Sequence, residues 1–392
     1  MVQNEGIKNA ARYAQFAGLT HAQCEDAIQF ILKKIDENLE TFTYKFPSSA
    51  SRGNVYDAVD NTDWTACFWT GMLWLAYQNT KDEKYRKVAE IQIKSYQNRI
   101  EQRIATETHD LGFLYTLSCV FAYKLTGNTE AKRVALLAAD VLMERYFEKA
   151  GIIQAWGSLD DPTQRGRMII DCCMNLPLLY WASEQTGDPK YFNAARSHVR
   201  QAEKYIVRAD ASTFHTFYMD PETGAPRFGK TAQGFSDASC WARGQAWAIY
   251  GFPLSYAYTK DAELLDMTKK VANYYLNRLP EDEVCYWDLV FTSGDEERDS
   301  SSVPIVACGL LELIKYLPES DPDRAIYEKA AQKMLLSLSE DYTTKDCPAS
   351  NGILLHAVYG KPQGSGIDEC NIWGDYYYFE ALTRLVTTEK KE

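Results

Sequence analysis

The feature that most restricts how this chain can fold is an alternation of two kinds of helical segment. Apolar residues recur at i, i+3, i+4 and i+7, the signature of a helix. They do so in twelve segments, near 21–40, 63–78, 83–103, 110–126, 129–148, 171–186, 189–208, 241–258, 261–279, 301–317, 322–342 and 372–388. One kind is apolar on several faces, as in WTACFWTGMLWLAYQ or CCMNLPLLYWASEQ; the other carries charge along one face, as in DEKYRKVAEIQIKSYQNRIEQ. Between an apolar segment and the charged one after it stand NTKDEKY, LTGNTEA, QTGDPKY, YTKDAEL and LPESDPDRA, each reading as a C-cap followed by an N-cap. The repeat unit is a helical hairpin, present six times.

A helix that is apolar all round has to be buried on several sides, whereas a one-faced helix can meet water. Six of each predict an inner ring wrapped by an outer ring: an all-α (α/α)6 barrel, with residues 1–392 forming one domain. An open solenoid would show more regular repeat lengths and no reason to stop after six. The charged helices lead into the apolar ones through long connections, near 41–62, 149–170, 209–240, 280–300 and 343–371. In a barrel these gather at one end, with the N-termini of the inner helices, and long structured connections are where sites are built. Trp64, Asp110, Asp171, Trp241, Arg243, Ser301, Trp373 and Asp375 fall at that mouth.

Composition then excludes several partners. Lys and Arg total 42 against 54 Asp and Glu, a net charge of −12, which argues against nucleic acid or an anionic membrane as partner. No apolar run reaches the length of a bilayer-spanning helix, and MVQNEGIKNAARYAQFAGLT lacks a basic stretch leading into an apolar core. The ten cysteines form no CxxC and lie mostly in apolar segments, as buried reduced thiols do, so a cytoplasmic location is expected, or a periplasmic one if a signal peptide was removed. With five His and no HExxH, no metal or other cofactor is expected; GxSxG, P-loop and GxGxxG motifs are also missing. The 26 Tyr, 16 Phe and 9 Trp suit sugar stacking and large helical cores alike.

The candidate residues carry two readings each. Asp110 and Asp171 open consecutive inner helices, where an Asp can be an N-cap; two of them at one mouth can instead split their pKa values into an acid and an ionised partner. Arg243, in QGFSDASCWARGQAW, can clamp a carboxylate beside Trp241 and Trp247 or form a buried ion pair. Trp64 and Trp156 can stack on sugar or fill core. His215 and Gln233 lie in a long mouth connection, where a lone His is more often structural.

These motifs are recognisable together. THDLGF, RMIIDCCMNLPLLYWAS, SDASCWARGQAWAIYG and the closing IWGDYYYFEAL resemble the unsaturated glucuronyl hydrolases of glycoside hydrolase family 88, from about Asn61 to Leu385. The resemblance implies the same barrel and a substrate that is a small anionic oligosaccharide, left by a polysaccharide lyase, with a C4=C5 double bond in its terminal uronic acid. It implies hydration of that vinyl ether, with Asp171 as acid/base and Asp110 as its partner, so the carboxylate-separation rule for ordinary glycosidases does not apply. Trp64, Trp156, Trp241 and Trp247 match stacking rings; His215, Gln233 and Arg243 match the polar groups around uronate and water. Lys361 and Ser365, in YGKPQGSGIDECN, are candidates for contacting sulfate. The alternatives are an unsaturated rhamnogalacturonyl hydrolase acting on pectin fragments, a sugar 2-epimerase, which would need a pair of catalytic histidines, and a non-catalytic glycan-binding barrel.

Overall fold

The turns between the helices explain why the chain doubles back where it does. In the computed structural model, which describes residues 1–389, Lys81, Gly127, Gly187 and Lys260 each end an inner helix in the left-handed conformation. Asp82, Asn128, Asp188 and Asp261 follow at once and accept a backbone N–H of the next helix through their side chains. The fifth turn differs: Asp323 precedes its helix without a side-chain cap, and Asp321 accepts the Asp323 N–H instead.

After a short helix, Ala10–Ala14, the twelve helices of the barrel among the described residues are α1 (His21–Asn38), α2 (Ala66–Thr80), α3 (Glu83–Glu101), α4, α5 (Thr129–Met143), α6, α7, α8 (Ala242–Thr259), α9 (Ala262–Leu276), α10 (Ser302–Leu313), α11 (Arg324–Asp341) and α12 (Ile372–Glu389). Three are composite. A π turn, Thr116–Val120, joins Leu111–Tyr115 to Phe121–Thr126 in α4; a 3-10 turn, Ile170–Met174, leads into Leu176–Thr186 in α6; Pro189–Gln201 ends in a π turn, Ala202–Ile206, in α7. The even-numbered helices form the inner ring, each touching the next, and α12 touches α2. α1 packs on α12, so the sixth hairpin is made from the two ends of the chain. That closure separates a barrel from a solenoid. The core is continuous from Tyr13 to Val386, and Tyr376, Tyr377, Tyr378 and Phe379 of α12 are all buried.

The connections at the mouth hold short strands that helical periodicity does not show: β1 (Phe46–Pro47) with β2 (Ala58–Val59), β3 (Tyr146–Phe147) with β4 (Ile152–Ile153), the three-stranded β5 (Arg167–Ile169), β6 (Thr216–Met219) and β7 (Pro226–Lys230), and the hairpin β8 (Ala357–Gly360) with β9 (Ser365–Glu369). Helix α5 accordingly stops at Met143, where a segment running to 148 was expected, because the chain turns into β3. The β5–β6–β7 sheet fastens the connection before α6 to the one before α8. No disulfide links the ten cysteines, and nine of them are buried. Among the described residues no helix is long and apolar enough to cross a membrane.

Candidate active site

A cavity of about 520 Å³ opens at the mouth, lined by Trp64, Asp110, Trp156, Asp171, His215, Gln233, Trp241 and Arg243, together with Arg99, Glu107, Thr108, His109 and Tyr359. Asp110 immediately precedes α4, and Asp171 sits in the 3-10 turn that opens α6. Gly112 lets these helix starts meet: a Cβ there would lie 2.3 Å from Asn175 Cα and its carbonyl oxygen. Across the contact Phe113 N–H donates to Asn175 Oδ1 at 2.7 Å, and the Asn175 amide lies 3.5 Å from Asp110 Oδ1 and 3.4 Å from the Asp171 carbonyl.

The two carboxyls are unequal. Burial pushes Asp110 up to about 6, opposed by the Thr108 hydroxyl, which donates to Oδ2 at 2.7 Å, by Asn175 and by Arg99 and Arg145. Asp171 has less support. Its Oδ1 is buried with no hydrogen-bond partner, and burial plus the Asp110 charge push it up to about 7 against the pull of Arg243. Neither Asp caps its helix through its side chain. When one proton is present, the better hydrogen-bonded Asp110 is the ionised member and Asp171 holds the proton.

The polar groups around the pair are held from behind. Ala232 and Gln233 both donate backbone N–H to His215 Nδ1, at 3.0 and 3.2 Å, so the ring proton sits on Nε2. Burial holds this imidazole down to about 3, leaving it a neutral donor. Arg243 donates to Gln233 Oε1 at 3.1 Å, which fixes the amide with its NH2 end left for a ligand. Of the two readings of Arg243, carboxylate clamp and buried ion pair, the structure shows the ion pair. Its two terminal nitrogens donate to Asp299 at 3.1 Å, to the Val358 and Tyr359 carbonyls at 2.6 Å each, and to Gln233. Its guanidinium lies between Trp241 and Trp373, 4.5 and 4.8 Å from their ring centres. Held in this way at the cavity lining, Arg243 gives the pocket fixed positive charge.

Three of the four expected rings wall the cavity. Trp156 is 36% exposed and stacks under Arg167, Trp241 lies 4.4 Å from the His215 ring, and Trp64 donates its indole N–H to the Tyr359 hydroxyl at 2.9 Å. Trp247 does not reach the cavity. It is fully buried against Phe113 and Tyr377, one helical turn below Arg243, or about 6 Å further into the barrel. Lys361 and Ser365 also lie outside the lining: Lys361 is paired with Glu296 at 2.5 Å and with Glu297, and Ser365 is exposed on β9.

Sequence reasoning missed the wall formed by 99–109. Arg99, at the end of an outer helix, is buried and donates to Asn61 Oδ1 and to the carbonyls of Thr62, Asp63, Ile104 and Ala105, stapling two connections together. Thr108 could have been found, since an i, i+2 Thr–Asp pair before a helix is a local hydrogen-bonding pattern. No cluster of three or more His, Cys, Asp or Glu that could hold a metal occurs among the described residues. A neutral acid beside a carboxylate, over fixed positive charge and between indoles, can deliver a proton to a sugar held against the rings.

Comparison with known proteins places this geometry. Residues 38–297 match Glycosyl Hydrolase Family 88. The unsaturated chondroitin disaccharide hydrolase of Streptococcus agalactiae serotype III is 50% identical over 385 residues, 98% of this chain and 96% of that one. A crystal structure of unsaturated glucuronyl hydrolase from the same species superposes with a TM-score of 0.96 at 49% identity, covering 98% and 97% of the two chains. A mutant of that enzyme complexed with dGlcA-GalNAc6S superposes at 0.88 and 46% identity, with the same coverage.

Proposed function

The chain belongs to glycosyl hydrolase family 88, and from that premise we propose that it removes the 4,5-unsaturated uronic acid from the non-reducing end of lyase-generated glycosaminoglycan oligosaccharides. It is a glycosidase, and it starts at the double bond rather than at the anomeric carbon. Asp171 delivers its proton to C4. The C4=C5 electron pair forms the new C–H bond, and the positive charge left at C5 is shared by the ring oxygen. Asp171, now ionised, takes a proton from the water that adds at C5. The resulting hemiketal opens by breaking C5–O5, giving a C5 ketone and a hemiacetal at C1, which expels the remaining sugar as an alcohol.

One observation supports this reading above others: the buried, unpartnered Oδ1 of Asp171, in a carboxyl pushed up to about 7 beside Asp110. An acid that must be protonated near neutrality and basic one step later needs such a pKa. Asp110 remains the ionised partner that raises Asp171 and accepts sugar hydroxyls. Trp64, Trp156 and Trp241 bound the sugar, His215 Nε2–H and the Gln233 amide donate to uronate or water, and Arg243 lowers the cost of the uronate charge from behind. The 1–392 chain acts as a single catalytic domain, and ten cysteines without a disulfide suit a reducing compartment such as the cytoplasm. Among glycosaminoglycans, the pairing of Lys361 with two glutamates favours fragments without sulfate near β8–β9.

The test is the ultraviolet absorbance of the conjugated double bond, followed with unsaturated disaccharides of chondroitin, hyaluronan and heparin and with a pectin-derived one. Absorbance falls on at least one glycosaminoglycan disaccharide. A fall on the pectin fragment alone assigns the rhamnogalacturonyl reaction, and no fall on any makes the barrel a binding module.

A further inference from the structure

Two buried histidines carry ring nitrogens that no protein group satisfies: His109 Nδ1 and His198 Nε2. His109 lies next to Asp110, whereas His198 belongs to outer helix α7, away from the cavity lining. Both are fastened to the stretch 153–155, which begins at the last residue of β4. Ile153 donates its N–H to His198 Nδ1 at 2.9 Å, and His109 donates its backbone N–H to the Ala155 carbonyl at 2.9 Å. Gln154, between them, turns the other way: its N–H goes to the Arg145 carbonyl, and its own carbonyl accepts from Arg145 Nε at 3.0 Å. In extended chain residues two apart direct their backbone groups to one side, so the two histidines share a side. Consistent with that, His109 is the ionisable group that bears on His198.

The Ile153 bond leaves only one tautomer for His198. A nitrogen that accepts an N–H cannot carry the proton, so the proton is on Nε2, which becomes a buried donor without an acceptor. Buried donors find acceptors, commonly through one water, and His109 Nδ1 is the orphaned site on the same side of the segment. If Nδ1 of His109 accepts, its proton must lie on Nε2, and Nε2 is 3.4 Å from Asp110 Oδ1.

We propose that His198 is a positioning residue for the reaction: its Nε2–H, through one buried water, holds His109 in the Nε2–H tautomer and so turns a donor, not a lone pair, toward Asp110. This rests on the reading of Asp110 and Asp171 as the acting pair. Both rings are held neutral by burial, with values near 3, so the chain works by orientation and not by charge. The other ionisable groups facing Asp110 are Asp171, Cys67, Cys172, Tyr359, Arg99 and Arg145, and a change at His198 leaves all of them in place. A lone pair facing Asp110 would oppose its ionisation, and Asp171 holds the proton for the reaction only while Asp110 is ionised.

Two measurements test it. In protein labelled with ring-¹⁵N histidine, which has five histidines to assign, both His109 and His198 at neutral pH are expected as Nε2–H tautomers; an Nδ1–H tautomer at His109 overturns the proposal. In the pH profile of kcat/KM, His198→Leu is expected to move the acid limb up by a few tenths of a pH unit, less than a full hydrogen bond because the His109–Asp110 contact is long at 3.4 Å. His198→Gln, which can both accept from Ile153 and donate onward, is expected to restore the limb. A folded His198→Leu variant with an unmoved limb also overturns the proposal, and if that variant does not fold the tautomer measurement still decides. The tautomer needs no turnover, so an enzyme inactive on every disaccharide refutes the functional reading without touching this result.

Discussion

Replacing Arg243 with alanine removes the cation on which the pocket floor is built. Asp299 is fully buried, and its Oδ2 meets Arg243 at 3.1 Å, while its Oδ1 accepts from Ser301 N–H, Ser301 Oγ–H and Val358 N–H. Breaking a buried pair from one side costs about 3–5 kcal/mol because the other charge is left without its partner. Since Oδ1 keeps three donors, the lower end, about 3 kcal/mol, is expected. Adding Asp299→Asn removes the stranded charge and sets an amide NH2 where Oδ2 was, while Oδ1 still accepts. The double variant therefore recovers about 1–2 kcal/mol of the loss. Urea unfolding at neutral pH, with the slope m unchanged, reads both numbers. The loss of Arg243 also lets the Asp171 carboxyl rise further, so residual activity extends to higher pH, as it must when the protonated form is the active one. An Arg243→Ala variant within about 0.5 kcal/mol of the parent, or one that Asp299→Asn fails to rescue, would refute the reasoning.

The other expectations concern the carboxyl pair and its walls. Asp171→Asn abolishes turnover yet stabilises the fold above neutral pH. The folded-state pKa of about 7 lies above the ordinary 3.8, so the cost of ionising Asp171 is present above about pH 7 and vanishes below the unfolded value. The gain is bounded by about 4 kcal/mol, and a thermal melt at pH 8 showing the variant less stable than the parent would contradict it. Gly112→Ala drives a Cβ into the Asn175 backbone and is expected to cost about 3 kcal/mol and most of the activity, as read by urea unfolding and initial rates; a neutral substitution would mean that α4 and α6 need not approach so closely. Trp156→Ala should raise KM roughly tenfold with little loss of stability, the worth of one aromatic contact, whereas Trp247→Phe should lower stability and leave KM unchanged. The reverse pattern would put Trp247 back in the pocket.

Much of the barrel is legible in the sequence because each helix has to satisfy its own periodicity and its own caps. Lys81–Asp82, Gly127–Asn128, Gly187–Asp188 and Lys260–Asp261 are local devices, readable without knowing the fold. Ring closure is less local, yet it follows from counting helices that cannot face water. The strands at the mouth escape because two- to five-residue pairings have no period to detect, and their partners come from distant connections, as Arg167 pairs with Tyr218. Asp110 and Asp171 stand out because both open inner helices, but their inequality depends on Thr108 and Asn175, whose contacts exist only after α4 meets α6. Trp247 shows the limit of reading a motif as a unit. It lies four residues beyond Arg243 on the same face, yet that spacing carries it down the barrel axis into the core. Arg243 shows the complementary limit, since the carbonyls that occupy its fork arrive from residues 358 and 359.

The central claim is that bond cleavage begins with protonation of C4 and not with attack at C1. Turnover of an unsaturated chondroitin disaccharide in D2O, quenched early with borohydride to trap the C5 ketone, tests it directly. The account predicts a single deuterium at C4 of the released uronic acid. A product without deuterium at C4 would contradict it.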